Sequence, residues 1–188
     1  MNASPFSWAT KVLAGGALAL ATFLVVGLFL PTAFQVEASR LVNASPEAIF
    51  RYLDSPEGWR DWTTWPESGL ERSGPSRGEG ARIAWKDLDL GTGSFTITKA
   101  VPYERIEYRV EVSGGTMYTD GAITLLTEPG GVRVTWRESG DLGNNPLMGY
   151  WGLLMEPAQS EELAKGLERL AELATAEPPP AAQPLDVH

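Results

Sequence analysis

Cysteine is absent from this 188-residue chain, and histidine occurs once, at the terminal His188. The first absence excludes disulfide frameworks, thiolate metal sites and cysteine nucleophiles. The second leaves no histidine cluster for a metal and no imidazole for acid–base work inside a fold, so neither a metal nor a resident cofactor is expected. Clustered basic residues are lacking too. Lys and Arg number 15 against 24 Asp and Glu, for a net charge of −9, and they are scattered along the chain. Nucleic acid and anionic lipid are held by grouped Lys and Arg that displace counterions, so no nucleic-acid surface is expected. The glycine-rich pieces Gly78-Glu-Gly80 and Gly91-Thr-Gly93 have neither the lysine nor the strand–loop–helix setting of a phosphate loop and read as turns between strands.

Charge is also missing from one long stretch: between Lys11 and Glu37 lie twenty-five uncharged residues, VLAGGALALATFLVVGLFLPTAFQV. A helix rises about 1.5 Å per residue and a bilayer core is about 30 Å thick, so Trp8 to Leu30 is long enough to cross, ending at Pro31. Gly15, Gly16 and Gly27 fit a membrane helix, where small residues give a smooth face for close approach by a membrane-protein partner. Two other readings remain, a cleaved secretory signal with Val36-Glu37-Ala38 as its small-residue site, and a helix of the domain core. The run is longer than a signal core and shows no polar face, which favours a membrane anchor. Lys11 before the span and Glu37 after it favour the N-terminus inside, hence a single-pass protein with an extracytoplasmic domain. The expected organisation is an anchor at 1–34, one domain at 35–174, and a Pro-rich disordered tail at 175–188 whose composition cannot bury enough surface to order itself.

Within the domain, Gln35 to Val42 alternates as a strand. Ser45-Pro46-Glu47 then has the makings of a helix start: a capping hydroxyl, a proline at the first position, and an acid at the positive end of the dipole. Asp54-Ser-Pro-Glu-Gly-Trp59 repeats this as a second short helix. From Leu70 the period becomes two, as in an antiparallel meander. Phe95, Ile97 and Val101 are expected on one face; Ile106, Tyr108, Val110 and Val112 alternate against Glu107, Arg109 and Glu111; Val132, Val134 and Trp136 point inward. Glu128-Pro-Gly-Gly131 marks a hairpin turn. Leu147 to Ala174 returns to three- and four-residue spacing, a long amphipathic helix that Pro157 should bend or interrupt, with Ser160 as the cap of any restart.

This order, and the segments Asn43-Ala-Ser-Pro-Glu-Ala-Ile-Phe50, Trp62-Thr-Thr-Trp65-Pro66, Gly74-Pro-Ser-Arg-Gly-Glu-Gly-Ala-Arg-Ile-Ala-Trp85, Pro102-Tyr-Glu-Arg-Ile106, Val134-Thr-Trp136 and Lys165-Gly-Leu-Glu-Arg-Leu170, resemble the polyketide cyclase/dehydrase-like branch of the START-like (SRPBCC) superfamily. The resemblance spans Val36 to about Ala174. It implies an α+β helix-grip fold in which a curved antiparallel sheet wraps a long C-terminal helix around an internal cavity for a small apolar or amphipathic molecule. Superfamily membership does not fix chemistry, since one scaffold hosts many functions. Binding without a reaction is the leading expectation; a cyclase- or hydratase-type enzyme, or an inert scaffold for a membrane protein, are the alternatives.

The candidate ligand-binding residues are Trp62, Trp65, Trp85, Tyr108, Trp136, Met148, Trp151 and Met155. Their rings and thioethers suit an apolar pocket and equally suit a packed core. Trp62 and Trp65 are placed at a cavity mouth. For proton chemistry the candidates are Asp120 and Glu138, read as falling in or at the end of inward-facing strand patterns, and Tyr118, which could donate to a ligand carbonyl; a carboxyl buried among apolar groups has a raised pKa.

Overall fold

The computed structural model describes residues 5–66, 68–87, 91–143 and 145–176, with side chains at all of these except 5–7, 113, 154 and 155. In chain order the elements are α1 (Pro5–Phe29), β1 (Ala33–Val42), α2 (Pro46–Phe50), α3 (Pro56–Arg60), β2 (Leu70–Ser73), β3 (Arg82–Asp87), β4 (Gly91–Val101), β5 (Arg105–Val112), β6 (Met117–Glu128), β7 (Gly131–Asp141) and α4 (Pro146–Ala176). The seven strands form one antiparallel sheet in the order β1-β7-β6-β5-β4-β3-β2. Consecutive strands from β2 to β7 pair antiparallel, and β1 closes the far edge beside β7.

Local chemistry sets the two short helices. Ser45 accepts from the Ala48 amide and Ser55 from the Gly58 amide, each with proline next at a position whose amide has no partner within the helix. Trp59 and Trp62 are thereby turned into the core, their indole N–H groups bonded to the Leu53 and Tyr52 carbonyls. Along α4, Leu163, Leu167, Leu170 and Ala174 lie one per turn against Val36, Val42, Val132 and Val134 of the sheet, all buried. Helix and sheet cover each other's apolar faces, the helix-grip arrangement.

The opposite face of the sheet is wet. Arg109 forms a two-pronged pair with Asp120 at 2.7 Å, Arg137 pairs with Glu37, and Arg133 with Glu128. Such exposed pairs, screened by solvent, contribute little to stability.

Three local expectations are corrected. A β-bulge between Ile97 and Lys99 shifts the register, so Ala100, opposite Ile106, takes the inward place expected for Val101. The Gly91–Gly93 run opens β4 instead of forming a turn, and Gly93 lies under the Trp85 ring, where a Cβ would be 2.2 Å from Cζ2. Third, α4 continues through Pro157 with no restart at Ser160.

From Trp8 to Phe29, α1 is long and apolar enough to cross a membrane, and only Gly27 in that stretch is buried. It is therefore not a helix of the domain core. Its last turns meet the start of α4: Phe23 and Tyr150 stack at 4.3 Å, and the Tyr150 hydroxyl donates to the Phe23 carbonyl at 2.8 Å. The Gly27 face, expected to be open to a partner, is thus taken by α4, whereas Gly15 and Gly16 have open space around them. The segment expected as a tail lies, beyond residue 176, outside the described residues.

Leu167→Ala, at the centre of the helix–sheet contact, should destabilise the full chain by about 2–5 kcal/mol, because deleting a buried isobutyl group loses its transfer free energy and leaves a cavity. Urea unfolding in detergent followed by tryptophan emission would measure it.

Candidate functional site

A cavity of about 330 Å³ lies between the sheet, α3 and α4. Its walls include Trp65, Trp85, Phe95, Tyr108, Trp136 and Glu138, with Gln159, Glu162 and Arg169 from α4. Beneath it an aromatic cluster packs edge-to-face or tilted about Trp59, whose ring centroid lies 4.6 Å from Tyr108, 4.8 Å from Trp62 and 5.0 Å from Phe95. Such pairs prefer offset or edge-to-face geometries, and here they pack Trp59 of α3 against Phe95 and Tyr108 of the sheet.

A polar chain crosses three strands along the cavity wall. Tyr108 on β5 pairs with Gly121 on β6, which in turn pairs with Glu138 on β7. With no side chain at Gly121, the Tyr108 ring lies across β6 and its hydroxyl donates to Glu138 Oε1. Trp136 Nε1 donates to the Tyr108 oxygen at 2.7 Å, and Gln159 Nε2 donates to Glu138 Oε2 at 2.8 Å, tying α4 to the same carboxyl. Burial raises the Glu138 pKa above the ordinary range; the bonds from Tyr108 and Gln159 oppose this but do not cancel it. Tyr108 is raised well above its usual value, chiefly by burial and then by the neighbouring Glu138 charge, so it stays a donor throughout the physiological range.

Most indole N–H groups near the site are satisfied, Trp65 by the Thr63 hydroxyl at 2.6 Å among them. Trp85 differs: its Nε1 is buried and has no partner among the described residues. An unpaired buried donor is costly, and on a cavity-lining ring it suits a guest carrying an acceptor.

Of the residues singled out from sequence, Trp65, Trp85, Tyr108, Trp136 and Glu138 meet at this cavity. Others do not. Trp62 is not at a mouth: it is 1% exposed and supports Trp136 from below, their centroids 5.0 Å apart. Met148 lines a separate groove with Met117 and Leu142. Trp151 is 54% exposed, on the part of α4 that extends past the sheet. The Met155 side chain lies outside those described. Asp120 and Tyr118 are on the wet face, Asp120 bound to Arg109 and Tyr118 beneath the same guanidinium at 5.1 Å, because inward positions on β6 are the odd-numbered ones, Gly121 and Ile123. Sequence reasoning missed Trp59, Phe95 and Gln159. The first two had a signal in their apolar positions on a helix and a strand. The third had none, since its partner is 21 residues away.

Residues 33–175 match the family model described as polyketide cyclase / dehydrase and lipid transport. No curated protein matches the sequence. Among solved structures, a Thermus thermophilus protein is similar with a TM-score of 0.58 at 22% identity, over 76% of this chain and 98% of its own. A Helicobacter pylori protein gives 0.59 at 10% identity, over 75% and 88%. The di-domain ARO/CYC BexL from the BE-7585A biosynthetic pathway gives 0.56 at 16% identity, over 92% of this chain and 60% of its own. At these identities the likeness is one of fold.

Two outcomes test the polar chain. In Gly121→Ala the new Cβ would fall 2.0 Å from Tyr108 Cζ, so the ring must leave Glu138. The loss should be about 1–3 kcal/mol, the cost of unpaired buried polar groups, measurable by denaturant unfolding. Glu138→Gln addresses the charge. A carboxyl whose folded pKa lies above its unfolded value contributes stability at low pH that is lost as pH rises through the folded pKa. The melting temperature of the variant relative to the parent should therefore climb from acid to neutral pH; a flat difference would mean that Glu138 is not held above its ordinary range.

Proposed function

Because the chain belongs to the polyketide cyclase / dehydrase and lipid transport family, we propose that it is a membrane-anchored binding module that takes a small, mainly apolar molecule into the cavity beside Tyr108 and Glu138. The cavity itself is the observation that carries this reading. Small-molecule sites run from roughly 300 to 1,000 Å³ and combine apolar walls with a few polar groups, a description that suits these walls. The unpaired Trp85 N–H favours a guest with a carbonyl or other acceptor at one end, hence an amphipathic molecule.

The position of the cavity supports the anchor as part of the same function. Ala33, where β1 leaves α1, is in register through Asp141, Tyr118 and Glu111 with Ser94 across the sheet. Trp85, Gly93 and Val112 lie one step further toward that end. The solid core of Val42, Val132 and Leu167 occupies the other end. A guest that partitions into a bilayer would meet the hollow half of the domain first. With Lys11 ahead of the span, the domain is assigned to the extracytoplasmic side.

A second reading, proton transfer by Glu138 as in a cyclase- or hydratase-type enzyme, has its raised pKa and cavity position in favour. Against it, both carboxyl oxygens are already bonded, to Tyr108 and to Gln159. Binding without reaction needs no such group to be free.

Val110 lines the cavity two residues along β5 from Tyr108 and makes no hydrogen bond of the polar chain, so Val110→Trp should fill the space and leave the Tyr108–Glu138 bond in place. Full-length protein from the producing cells, exchanged into lipid nanodiscs and extracted with organic solvent, should yield a molecule stoichiometric with the parent and absent from the variant by mass spectrometry. The same extract from both proteins would overturn the binding reading.

A further inference from the structure

α1 and α4 cross so closely that there is no room for a side chain at Gly27 or at Gly149. A Cβ on Gly27 would be 2.1 Å from the Pro146 carbonyl oxygen, and one on Gly149 would be 2.5 Å from Leu30 Cβ and 2.8 Å from the Gly27 oxygen. Tyr150 reaches back to Phe23, six residues before the end of α1, or about 9 Å along its axis. The first two turns of α4 therefore sit at the depth of the last two turns of α1. Whatever surrounds those turns of α1 also surrounds the start of α4.

The sequence of this part of α4 suits apolar surroundings. From Leu142 to Met155 there is no charged residue; the run ends at Asp141 on one side and Glu156 on the other. Leu147 and Trp151, one turn apart on one face, are 49% and 54% exposed, and Leu153 is 59% exposed. The sheet does not reach them. At the helix start, where free amides would resist entry into lipid, the Asn145 side chain accepts from the Leu147 amide at 3.0 Å and its carbonyl from the Met148 amide at 2.8 Å.

We propose that the first two turns of α4 form a second membrane contact, seated in the headgroup–acyl boundary of the bilayer with Leu147 and Trp151 toward lipid. Tryptophan and tyrosine favour that boundary, and a short uncharged helix lying in it gains by burying its apolar surface. The occupant is lipid of ordinary zwitterionic kind, since no Lys or Arg lies within the run to select an anionic headgroup. The inference rests on the reading of α1 as a membrane span. Its consequence is orientation: with α1 alone the domain would swivel on its tether, whereas α1 and α4 together hold the cavity end of the sheet against the membrane.

The cysteine-free chain allows single-cysteine labelling of the full-length protein. Leu13→Cys in the span, Leu147→Cys and Trp151→Cys on α4, and Glu172→Cys at the far end of α4 would carry a fluorescent nitrobenzoxadiazole label in phosphatidylcholine vesicles. All four positions are exposed, so the label should not disturb folding. Labels at 13, 147 and 151 should be quenched several-fold more by nitroxide-bearing lipid than by aqueous iodide, and the label at 172 the reverse. Lipid quenching at 13 with iodide quenching at 147 and 151 would overturn the α4 contact and leave the span standing. Iodide quenching at 13 would remove the span, and the α4 contact with it.

Discussion

The Tyr108 ring spans the gap left by Gly121 to reach a carboxyl on the far side of the same strand, and the cavity depends on that one crossing. A sheet closing on a helix would ordinarily interdigitate side chains until no void wider than a methyl remained. Here a rigid ring is fixed flat against the sheet by a hydrogen bond at its tip and by Trp59 and Phe95 on its flanks, so it cannot rotate into the space above it. Trp136 is restrained from the other side by donating to the same oxygen. The hollow is therefore a by-product of aromatic side chains tied down at their polar ends, and many indoles prove compatible with an open interior.

This arrangement has a thermodynamic cost that the fold bears at one residue. Glu138 is 7% exposed, and burial of its charge outweighs the two hydrogen bonds it accepts. A hydrophobic residue of similar volume would often serve stability as well or better. Retaining a carboxyl makes sense if its value lies in fixing geometry, since it gathers donors from β5 and α4 and so sets both the distance between them and the orientation of the tyrosine. Rigidity of that kind favours a preformed pocket, in which less entropy is lost on capturing a guest.

How far the sequence revealed this follows from where each signal sits. The two helix starts were legible because a capping serine followed by proline acts within four residues and needs no tertiary partner. The inward set of β7 was legible because Val132, Val134, Trp136 and Glu138 keep strict alternation. On β6 the same logic misassigned Asp120 and Tyr118: Gly121 and Ala122 blank out the pattern, and Leu125 and Leu126 break it at the other end, so the parity that assigns Asp120 to the wet face emerges only from pairing with Arg109. Val101 was misplaced by a bulge that no composition rule announces. Trp151 continues the apolar stripe of α4, but the stripe outruns the sheet, and a periodicity says which face is apolar without saying what covers it. The family resemblance, by contrast, was carried by motifs spread over the whole domain, and the family match spans the same residues.

That uncovered stretch of α4 bears on how a guest would travel. An apolar molecule leaving a bilayer for an isolated soluble carrier must pass through water and lose hydrophobic transfer free energy of about 25 cal/mol for each Å² exposed. On the proposed reading, a hollow at the end of the sheet that adjoins α1 would shorten that passage, because Trp85, Gly93 and Val112 lie on the rows nearest α1, whereas the packed core fills the distant rows. On the proposed reading the tether would do more than localise the domain: α1 meets α4 across Gly27 and Gly149, and that contact would turn the end of the sheet that holds the cavity toward the membrane.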